Sequence, residues 1–374
     1  MPNICLIAGE KSGDNHGAIL VRELKILRPE LNFYGLGGDE LAAQGMELLC
    51  HIKDLNFMGF IEVIRHLPKI QRTMELVLRE IALRKSELVV LIDYPGFNLK
   101  LAQKIKDGRF HPPPKIFYYI SPQVWAWGSE RIPQIARLID RMAGILPFEQ
   151  QTYAGSGLDF HFVGHPLLDE IDDAPDKETF FQENRLFPKK KLIALLPGSR
   201  NQEVKRILPA MLAAAEIIRS KIDCQFAIAA AETVEHNLFH HSQETALLHK
   251  QTPALMKYAD LVLTKSGTST LETAVTGTPM VVVYKMNPLT YLLGKRMVKI
   301  KNIALVNVVA GKTIVPELIQ NQASPQKIAQ TALNLLLDTE KYADMKLELA
   351  EVKKKLGAPG ASRRAAELAL DLIA

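Results

Sequence analysis

The sequence has little cysteine, and that scarcity excludes two classes of protein. Cys5, Cys50 and Cys224 are the three cysteines in 374 residues. An odd number without metal-ligand spacing argues against a disulfide framework and a zinc site, so buried thiols in a reducing compartment are expected. No apolar run reaches the roughly 18 residues of a membrane-spanning helix. The apolar run at the N-terminus ends before Glu10, so it lacks the pattern of a secretory signal peptide. We therefore predict a cytoplasmic protein.

The excess of positive over negative charge is also small. The formal net charge is +5, which is too small to predict binding to nucleic acid but is compatible with anionic substrates or an anionic membrane surface. HExxH, paired CxxC and GxSxG motifs are absent, and no DxD-like acid pair stands at a predicted strand end. These absences leave no motif that indicates a metal ion or another cofactor.

The pattern that is present is an alternation of short apolar segments with longer amphipathic ones, which is typical of a parallel, doubly wound α/β sheet. The alternation occurs twice, so two such sheets are predicted. The predicted strands are residues 4–8, 32–36, 88–92, 116–120, 143–146 and 161–163 in the first half, and 192–196, 225–229, 261–264 and 280–284 in the second.

The domain organisation follows from where this pattern stops and restarts. The segment 164–190 is charged and poorly periodic, so the hinge is placed there. We predict an N-terminal domain over 1–165, a C-terminal domain over 166–345 and a helical tail over 346–374. Ligands of doubly wound sheets bind beyond the carboxyl ends of the strands. We therefore expect a ligand cleft between the two halves.

Asp93 directly follows the apolar strand 88–92. A carboxylate at the tip of a buried strand can act as a general base toward an attacking hydroxyl. It can equally cap the helix that follows. The spacing alone leaves both interpretations open.

Arg200 follows Pro197-Gly198-Ser199 at the end of the first strand of the second half. A guanidinium in that position can bind a phosphate group through two parallel hydrogen bonds. The alternative is a surface arginine that pairs with Glu203.

Ser266, Gly267 and Thr268 form a strand-to-helix turn, and Glu272 lies about one helical turn later. Free amides at a helix N-terminus suit a phosphate group. The carboxylate can accept hydrogen bonds from the two hydroxyls of a ribose. The pattern predicts a nucleotide-diphosphate site, with ordinary Ser/Thr capping as the alternative.

The loop 9–14, with sequence GEKSGD, is neither a Walker loop nor a GxGxxG motif. Its glycines, Gly9 and Gly13, would allow a ligand to approach the backbone. Trp125 and Trp127 follow the strand 116–120 and can line a wall for a sugar ring or an acyl chain, although core packing is the alternative.

Two further segments suit a membrane surface. Residues 56–64 are apolar and contain Met58, and residues 292–307 carry a basic cluster among apolar positions. Both are compatible with peripheral contact to anionic lipid. A core segment and a solvated helix face are the alternatives.

Nine motifs occur in an order that closely resembles the lipid-A-disaccharide synthase family. They are AGE-x-SGD (8–14), MGFIEV (58–63), ID-x-P-x-FN (92–98), ISPQVWAW (120–127), PFE (147–149), VGHP (163–166), LLPGSR-x-x-EV (195–204), SGT-x-T-x-E (266–272) and NVVAG (307–311). The resemblance covers roughly residues 3–330. It implies an inverting glycosyltransferase of the GT-B fold, with two Rossmann-like domains facing a cleft.

The resemblance also implies substrates and roles. The sugar of UDP-2,3-diacylglucosamine would pass to the 6-hydroxyl of 2,3-diacylglucosamine 1-phosphate, with Asp93 as the base. The matched motifs supply these substrate-binding candidates: Gly9, Glu10, Ser12, Gly13, Asp14, Met58, Asn98, Gln123, Trp125, Arg200, Ser266, Gly267, Thr268, Glu272 and Asn307. Acyl-bearing substrates imply peripheral attachment to the inner face of the cytoplasmic membrane.

Two residues depart from the family pattern. Lys11 replaces the small residue common in the first motif, and Gly96 replaces an acid found in some members, which leaves Asp93 as the only carboxylate of its motif. The tail would pack on the N-terminal domain or on a partner subunit of a homodimer. Another UDP-N-acetylglucosamine enzyme of this fold and a non-catalytic nucleotide-sugar-binding protein remain the alternatives.

Overall fold

The chain folds into two compact units. The computed structural model describes residues 2–54, 66–169, 175–239, 244–287, 291 and 301–373. Unit 1 contains Met1–Pro166 together with Gly357–Ala374, and unit 2 contains Leu167–Leu356. Within the described residues, no helix combines the length and the apolar character needed to cross a membrane.

Unit 1 is built on a parallel sheet of seven strands in the order β3-β2-β1-β4-β5-β6-β7. The central strand β4 is an apolar run with every residue buried, as expected for a parallel strand covered on both faces. The strands are β1 (Asn3–Ala8), β2 (Asn32–Gly37), β3 (Glu47–His51), β4 (Leu88–Ile92), β5 (Lys115–Tyr119), β6 (Arg141–Gly144) and β7 (Phe160–Phe162). The helices are α1 (Lys11–Leu27), α2 (Asp39–Ala43), α3 (Leu67–Leu83), α4 (Pro95–Lys104), α5 (Ile132–Leu138) and α6 (Glu149–Tyr153).

Unit 2 repeats this plan with six parallel strands in the order β10-β9-β8-β11-β12-β13. The strands are β8 (Lys191–Leu196), β9 (Cys224–Ala230), β10 (Ala246–His249), β11 (Leu261–Lys265), β12 (Met280–Tyr284) and β13 (Glu317–Ile319). The helices are α7 (Lys177–Glu183), α8 (Asn201–Arg219), α9 (Thr252–Tyr258), α10 (Ser269–Thr276), α11 (Leu305–Ala310), α12 (Pro325–Leu337) and α13 (Thr339–Lys355). Short 3-10 turns cover Ile52–Asp54, Ser129–Arg131, Pro166–Asp169, His236–Phe239 and Gln320–Gln322, and a π-helical turn covers Ile105–Arg109.

The chain returns to unit 1 through its last helix, α14 (Ala361–Asp371). Arg364 donates hydrogen bonds to the carbonyls of Val163 (2.9 Å), Ala358 (2.6 Å) and Pro359 (2.8 Å). The return begins at Gly357 and not at residue 346, where the sequence analysis placed the tail. The reason is that α13 is continuous through Lys355 and packs on α10 and α11 of unit 2.

Each sheet has one point where the strand order reverses. In unit 1 the reversal lies between β1 and β4, and in unit 2 it lies between β8 and β11. The loops that leave two such strands diverge to opposite faces of the sheet and open a crevice between them, which is where doubly wound folds bind ligands. The fold therefore singles out four loops, the ones that follow these four strands.

Candidate active site

Strand register places Asp93 beside the glycine-rich loop of unit 1. Ala8 pairs with Ile92, and Ile92 pairs with Tyr119 on the other side. The residues that follow therefore form a row at the carboxyl edge of the sheet: Gly9, Asp93 and Ile120. Gly9 and Asp93 flank the reversal of strand order, so both lie in the crevice that the fold opens.

The backbone of this row is strained. Asp93 (φ 43°), Tyr94 (φ 46°) and Ile120 (φ 66°) all occupy the left-handed region, which a β-branched or bulky side chain rarely enters. Such residues cost about 1–3 kcal/mol each and persist only where the surroundings hold them. Backbone strain of this kind concentrates at functional sites, so it marks the Asp93 turn as a site candidate independently of the motif.

Several hydrogen bonds hold the strained turn in place. The Asp93 amide donates to the Tyr119 carbonyl (3.1 Å). The Asp93 carbonyl accepts from the Tyr118 hydroxyl (2.5 Å) and from Nδ2 of Asn98 (2.7 Å), which also donates to the Ile92 carbonyl (3.2 Å). Asn98 was predicted to bind substrate. In the structure its amide nitrogen instead donates to the backbone on either side of the Ile92–Asp93 junction, and so holds the Asp93 turn.

The carboxylate of Asp93 sits in surroundings that suit a base. Burial and then the charge of Glu10 raise its pKa to about 6 from 3.8. A base with a pKa near the working pH combines a deprotonated fraction with useful proton affinity. The helix-cap alternative does not describe this geometry, because the N-cap residue of α4 is Tyr94.

The glycine-rich loop packs directly against this turn. A Cβ on Gly9 would lie 2.1 Å from the Tyr94 ring, so only glycine fits there. Glu10 is exposed and precedes α1, and Ser12 is exposed in the first turn of that helix. A Cβ on Gly13 would meet its nearest neighbour at 3.5 Å, an ordinary contact. Within this loop the steric requirement for glycine therefore belongs to Gly9.

Asp14 has a structural role that the sequence analysis did not anticipate. Its fully buried carboxylate accepts hydrogen bonds from the amides of Gly38 (2.7 Å), Glu40 (3.2 Å) and Leu41 (3.1 Å) at the start of α2. Lys11 lies 3.5 Å from the same carboxylate. The contacts of Asp14 are therefore with the chain, and its effect on the loop is to fix α1 against α2.

The aromatic segment after β5 is only partly buried. The Trp125 ring packs edge-on against Phe148, with ring centroids 5.0 Å apart. Its indole nitrogen is buried and has no hydrogen-bond partner in the described part of the chain. Gln123 is exposed, and Trp127 is 45% exposed with Arg131 over its ring. Met58 lies outside the described residues.

Glu149 is a site candidate that the sequence analysis missed. It is 1% exposed, and its Oε2 accepts from the amides of Ile145 (3.0 Å) and Leu146 (2.9 Å). Burial raises its pKa to about 7, and the charge of Asp93 contributes in the same direction. Its signal in the sequence was an acid a few residues after an apolar strand, in the motif PFE.

Arg200 offers a free cation at the reversal point of unit 2. It precedes α8 in extended conformation and is exposed. Within the described residues its guanidinium makes neither an ion pair nor a hydrogen bond. The predicted alternative, a pair with Glu203, is not what the structure shows, because Glu203 pairs with Lys265 at 2.9 Å.

The turn from β11 into α10 leaves backbone amides open. Gly267 has φ +156°, and its carbonyl accepts from the amide (3.1 Å) and hydroxyl (2.8 Å) of Thr270. The amides of Gly267, Thr268 and Ser269 donate to no group in the described ranges. Ser266 is buried and its hydroxyl donates to the Ile303 carbonyl (2.9 Å). This turn therefore presents amides, and not the Ser266 hydroxyl, to a ligand.

Glu272 and Asn307 differ in burial. Glu272 is half-buried in the first turn of α10. Asn307 is fully buried; its Nδ2 donates to Val315 (2.9 Å) and Glu317 (2.8 Å), and its Oδ1 accepts from Ile314 (2.8 Å) and Val315 (3.0 Å). All its hydrogen-bonding capacity serves the chain, so Asn307 positions β13.

No group of three or more His, Cys, Asp or Glu side chains suited to a metal ion occurs in the described ranges. Unit 1 offers a carboxylate of raised pKa, and unit 2 separately offers an exposed guanidinium and open backbone amides. A carboxylate of raised pKa can take a proton from a hydroxyl, and a guanidinium with helix-end amides can hold phosphate groups.

The comparisons with known proteins give the family and the fold of this chain. The family model described as lipid-A-disaccharide synthetase matches residues 4–371. The lipid-A-disaccharide synthase of Syntrophus aciditrophicus is 42% identical, with 99% of this chain and 97% of the relative covered. A solved structure of a UDP-GlcNAc 2-epimerase from Neisseria meningitidis matches with TM-score 0.66 and 12% identity over 99% of this chain and all of that one. The glycosyltransferase of kitacinnamycin matches with TM-score 0.66 and 16% identity over the whole of both chains.

Two doubly wound units of this kind define a glycosyltransferase of the GT-B class, and the predicted fold class is confirmed. Within that class, the chain belongs to the lipid-A-disaccharide synthetase family. It is an enzyme of lipid A biosynthesis, and the resemblance found in the sequence is confirmed.

Proposed function

We propose that the enzyme transfers 2,3-diacylglucosamine from UDP-2,3-diacylglucosamine to the 6-hydroxyl of 2,3-diacylglucosamine 1-phosphate. The products are a β-1,6-linked disaccharide 1-phosphate and UDP. The observation that carries this proposal is Asp93, a strained, half-buried carboxylate with a pKa near 6 beside the glycine-rich loop. Family membership supports the same reaction.

The chemical step follows from the role of Asp93. Its carboxylate accepts the proton of the acceptor 6-hydroxyl while that oxygen forms a bond to the anomeric carbon of the donor. The bond from the anomeric carbon to the diphosphate breaks, and UDP leaves with the electron pair. Attack occurs on the face opposite UDP, so the configuration inverts.

The donor is held by groups of unit 2. Arg200 and the amides of Gly267–Ser269 bind the diphosphate and stabilise the charge that develops on it. Glu272 accepts hydrogen bonds from the ribose hydroxyls. Asn307 contributes by positioning β13, and no cofactor takes part in this mechanism.

The acceptor is held by groups of unit 1. Glu10, Ser12, Gln123 and Trp125 are exposed or half-buried around the Asp93 turn and are available for contact. Gly9 contributes by allowing the Tyr94 ring to lie against the loop. Asp14 and Asn98 act through the backbone they hold, as their hydrogen bonds indicate.

Peripheral attachment to the cytoplasmic membrane and a homodimeric state remain proposals. The apolar segment 56–64 and most of the basic cluster lie outside the described residues, and Lys301 is exposed. Replacing Phe57, Met58 and Phe60 by Ser is expected to reduce sedimentation with anionic liposomes and to leave the far-ultraviolet circular dichroism unchanged. Unchanged binding would refute a membrane role for that segment.

The proposed reaction is tested by product analysis. The purified enzyme is incubated with UDP-2,3-diacylglucosamine, with and without the acylated acceptor, and UDP and lipid products are followed by mass spectrometry. Acceptor-dependent UDP release together with a disaccharide monophosphate is the expected result. Turnover of non-acylated UDP-N-acetylglucosamine in place of the acylated donor would contradict the proposal, as would binding of UDP without any turnover.

A further inference from the structure

We propose that Lys265 is a second cation of the diphosphate site and contacts a phosphate oxygen directly. This inference rests on the proposed function and adds a residue that the motifs did not indicate. Lys265 ends β11, immediately before the turn whose amides open the N-terminus of α10. It thus stands at the reversal point of the unit 2 sheet.

The position of the ammonium group carries the argument. Its Nζ lies 3.3 Å from the place that a Cβ on Gly267 would occupy, so it is against the backbone of the phosphate-binding turn. A side chain on Gly267 would push this ammonium away. The absence of one lets the cation and the open amides of Gly267–Ser269 face a single anion together.

An ion pair with Glu203 holds the Lys265 ammonium group beside the phosphate-binding turn. Glu203 Oε1 pairs with Lys265 Nζ at 2.9 Å, and the two side chains are 17% and 21% exposed. Its Oε2 is buried without a hydrogen-bond partner in the described ranges, and it lies 2.5 Å from where a Cβ on Gly198 would be. Glu203 therefore stands beneath the loop that carries Arg200 and ties that loop to β11.

The charges around this pair favour an anion. Lys265 uses one of its three N–H groups on Glu203, which leaves donors for a ligand. Burial and then the charge of Glu203 raise the pKa of Tyr284, and the charge of Arg200 opposes this, so Arg200 and Glu203 are both close enough to act on the same neighbour. Two cations and one carboxylate leave a net positive charge beside the open amides, as a departing diphosphate requires.

The alternative is that Lys265 only neutralises Glu203. Removing one partner of a half-buried ion pair leaves an uncompensated charge, which destabilises the fold without any ligand being involved. The variants K265M and K265M/E203Q separate the two roles. The double variant has no unpaired charge, so it restores folding stability in either case, but it restores UDP binding only if Lys265 is merely a counter-ion.

The matched control is K190M. Lys190 pairs with Asp223 at 3.0 Å, but both residues precede their strands and lie at the opposite, amino-terminal edge of the same sheet. This variant removes the same charge and a lysine–carboxylate ion pair, here a more exposed one, without approaching the reversal point. Its UDP affinity is expected to equal that of the wild type.

The measurement is isothermal titration calorimetry of the full-length enzyme with UDP and with uridine, accompanied by thermal unfolding. We expect K265M and K265M/E203Q to weaken UDP binding by about ten- to a hundredfold, the effect of losing one charge-assisted hydrogen bond, with uridine binding unchanged. Wild-type UDP affinity in K265M, or its recovery in the double variant, would overturn the assignment. Failure of the wild type itself to bind UDP would overturn the proposed function and this inference with it.

Discussion

At the scale of single residues, the site depends on one carboxylate whose surroundings oppose its charge. The Asp93 side chain is half-buried, its backbone is in the left-handed region, and the Glu10 carboxylate is near enough to raise its pKa. Each of these features has an energetic cost. Together they keep a base of raised pKa at the tip of β4, where a substrate hydroxyl can meet it.

A pH profile tests this electrostatic description. Asp93 must be deprotonated to act, so kcat/KM is expected to fall as the pH drops through about 6. E10Q removes a neighbouring negative charge and thereby lowers the pKa of Asp93, so the acidic limb moves to lower pH. E40Q is the control, because Glu40 pairs with Lys11 and is not among the groups that shift Asp93. An acidic limb that E10Q leaves in place would contradict the coupling.

At the scale of elements, the sequence predicted the buried strands and the edge strand β7 well but missed the other three edge strands. The strands 88–92 and 280–284 were predicted with the bounds that the structure shows. The missed strands are β3, β10 and β13. Each lies at a sheet edge and is only partly buried, so it lacks the continuous apolar run of a parallel strand buried on both faces.

Prediction of the candidate site from the sequence was limited in a similar way. The loops at the strand ends could be predicted because polar residues directly follow buried strands. The partners of those residues could not be predicted, because Glu203 on α8 and Lys265 on β11 are far apart in sequence and meet only in the folded chain. The partners of Asn307 could not be predicted for the same reason. Its four hydrogen bonds join it to the loop before β13 and to β13 itself, and they form only when the chain folds.

The turn between β1 and α1 provides a prediction with an internal control. In G9A, the new methyl group would lie 2.1 Å from the Tyr94 ring, so the strained turn must shift. We expect a loss of about 1–3 kcal/mol in unfolding free energy and a marked loss of activity. G13A is the control, since its methyl would meet its nearest neighbour at 3.5 Å. Urea unfolding and UDP release measure both; equal behaviour of the two variants would contradict the packing described.

At the scale of the whole molecule, the chain uses one strand order twice and then returns to its first unit. Tyr119 on β5 and Ser362 on α14 have their hydroxyls 3.3 Å apart, and α14 packs along α1. The helix α1 begins in the glycine-rich loop. The last helix therefore supports the element that carries Glu10 and Ser12, although it lies far from them in sequence.

Substitutions of two neighbouring arginines on α14 test whether this helix stabilises α1. Arg364 donates to three backbone carbonyls, whereas Arg363 makes ion pairs with Glu367 (3.0 Å) and Glu23 (3.8 Å). We expect R364A to destabilise unit 1 by roughly 2–3 kcal/mol and R363A by less than about 1 kcal/mol. Hydrogen exchange read by mass spectrometry should show faster exchange in α1 and α14 for R364A, with unit 2 unchanged. Faster exchange confined to unit 2 would contradict the assignment of the tail.

The most direct test of the account is acceptor-dependent UDP release by D93N. Asparagine keeps the size of the side chain and tolerates the left-handed backbone, but it cannot accept the proton. The account predicts that release from UDP-2,3-diacylglucosamine falls by roughly two to four orders of magnitude, the contribution of a general base, while UDP binding is retained. Acceptor-dependent release at the wild-type rate would contradict it, because the base would then lie elsewhere.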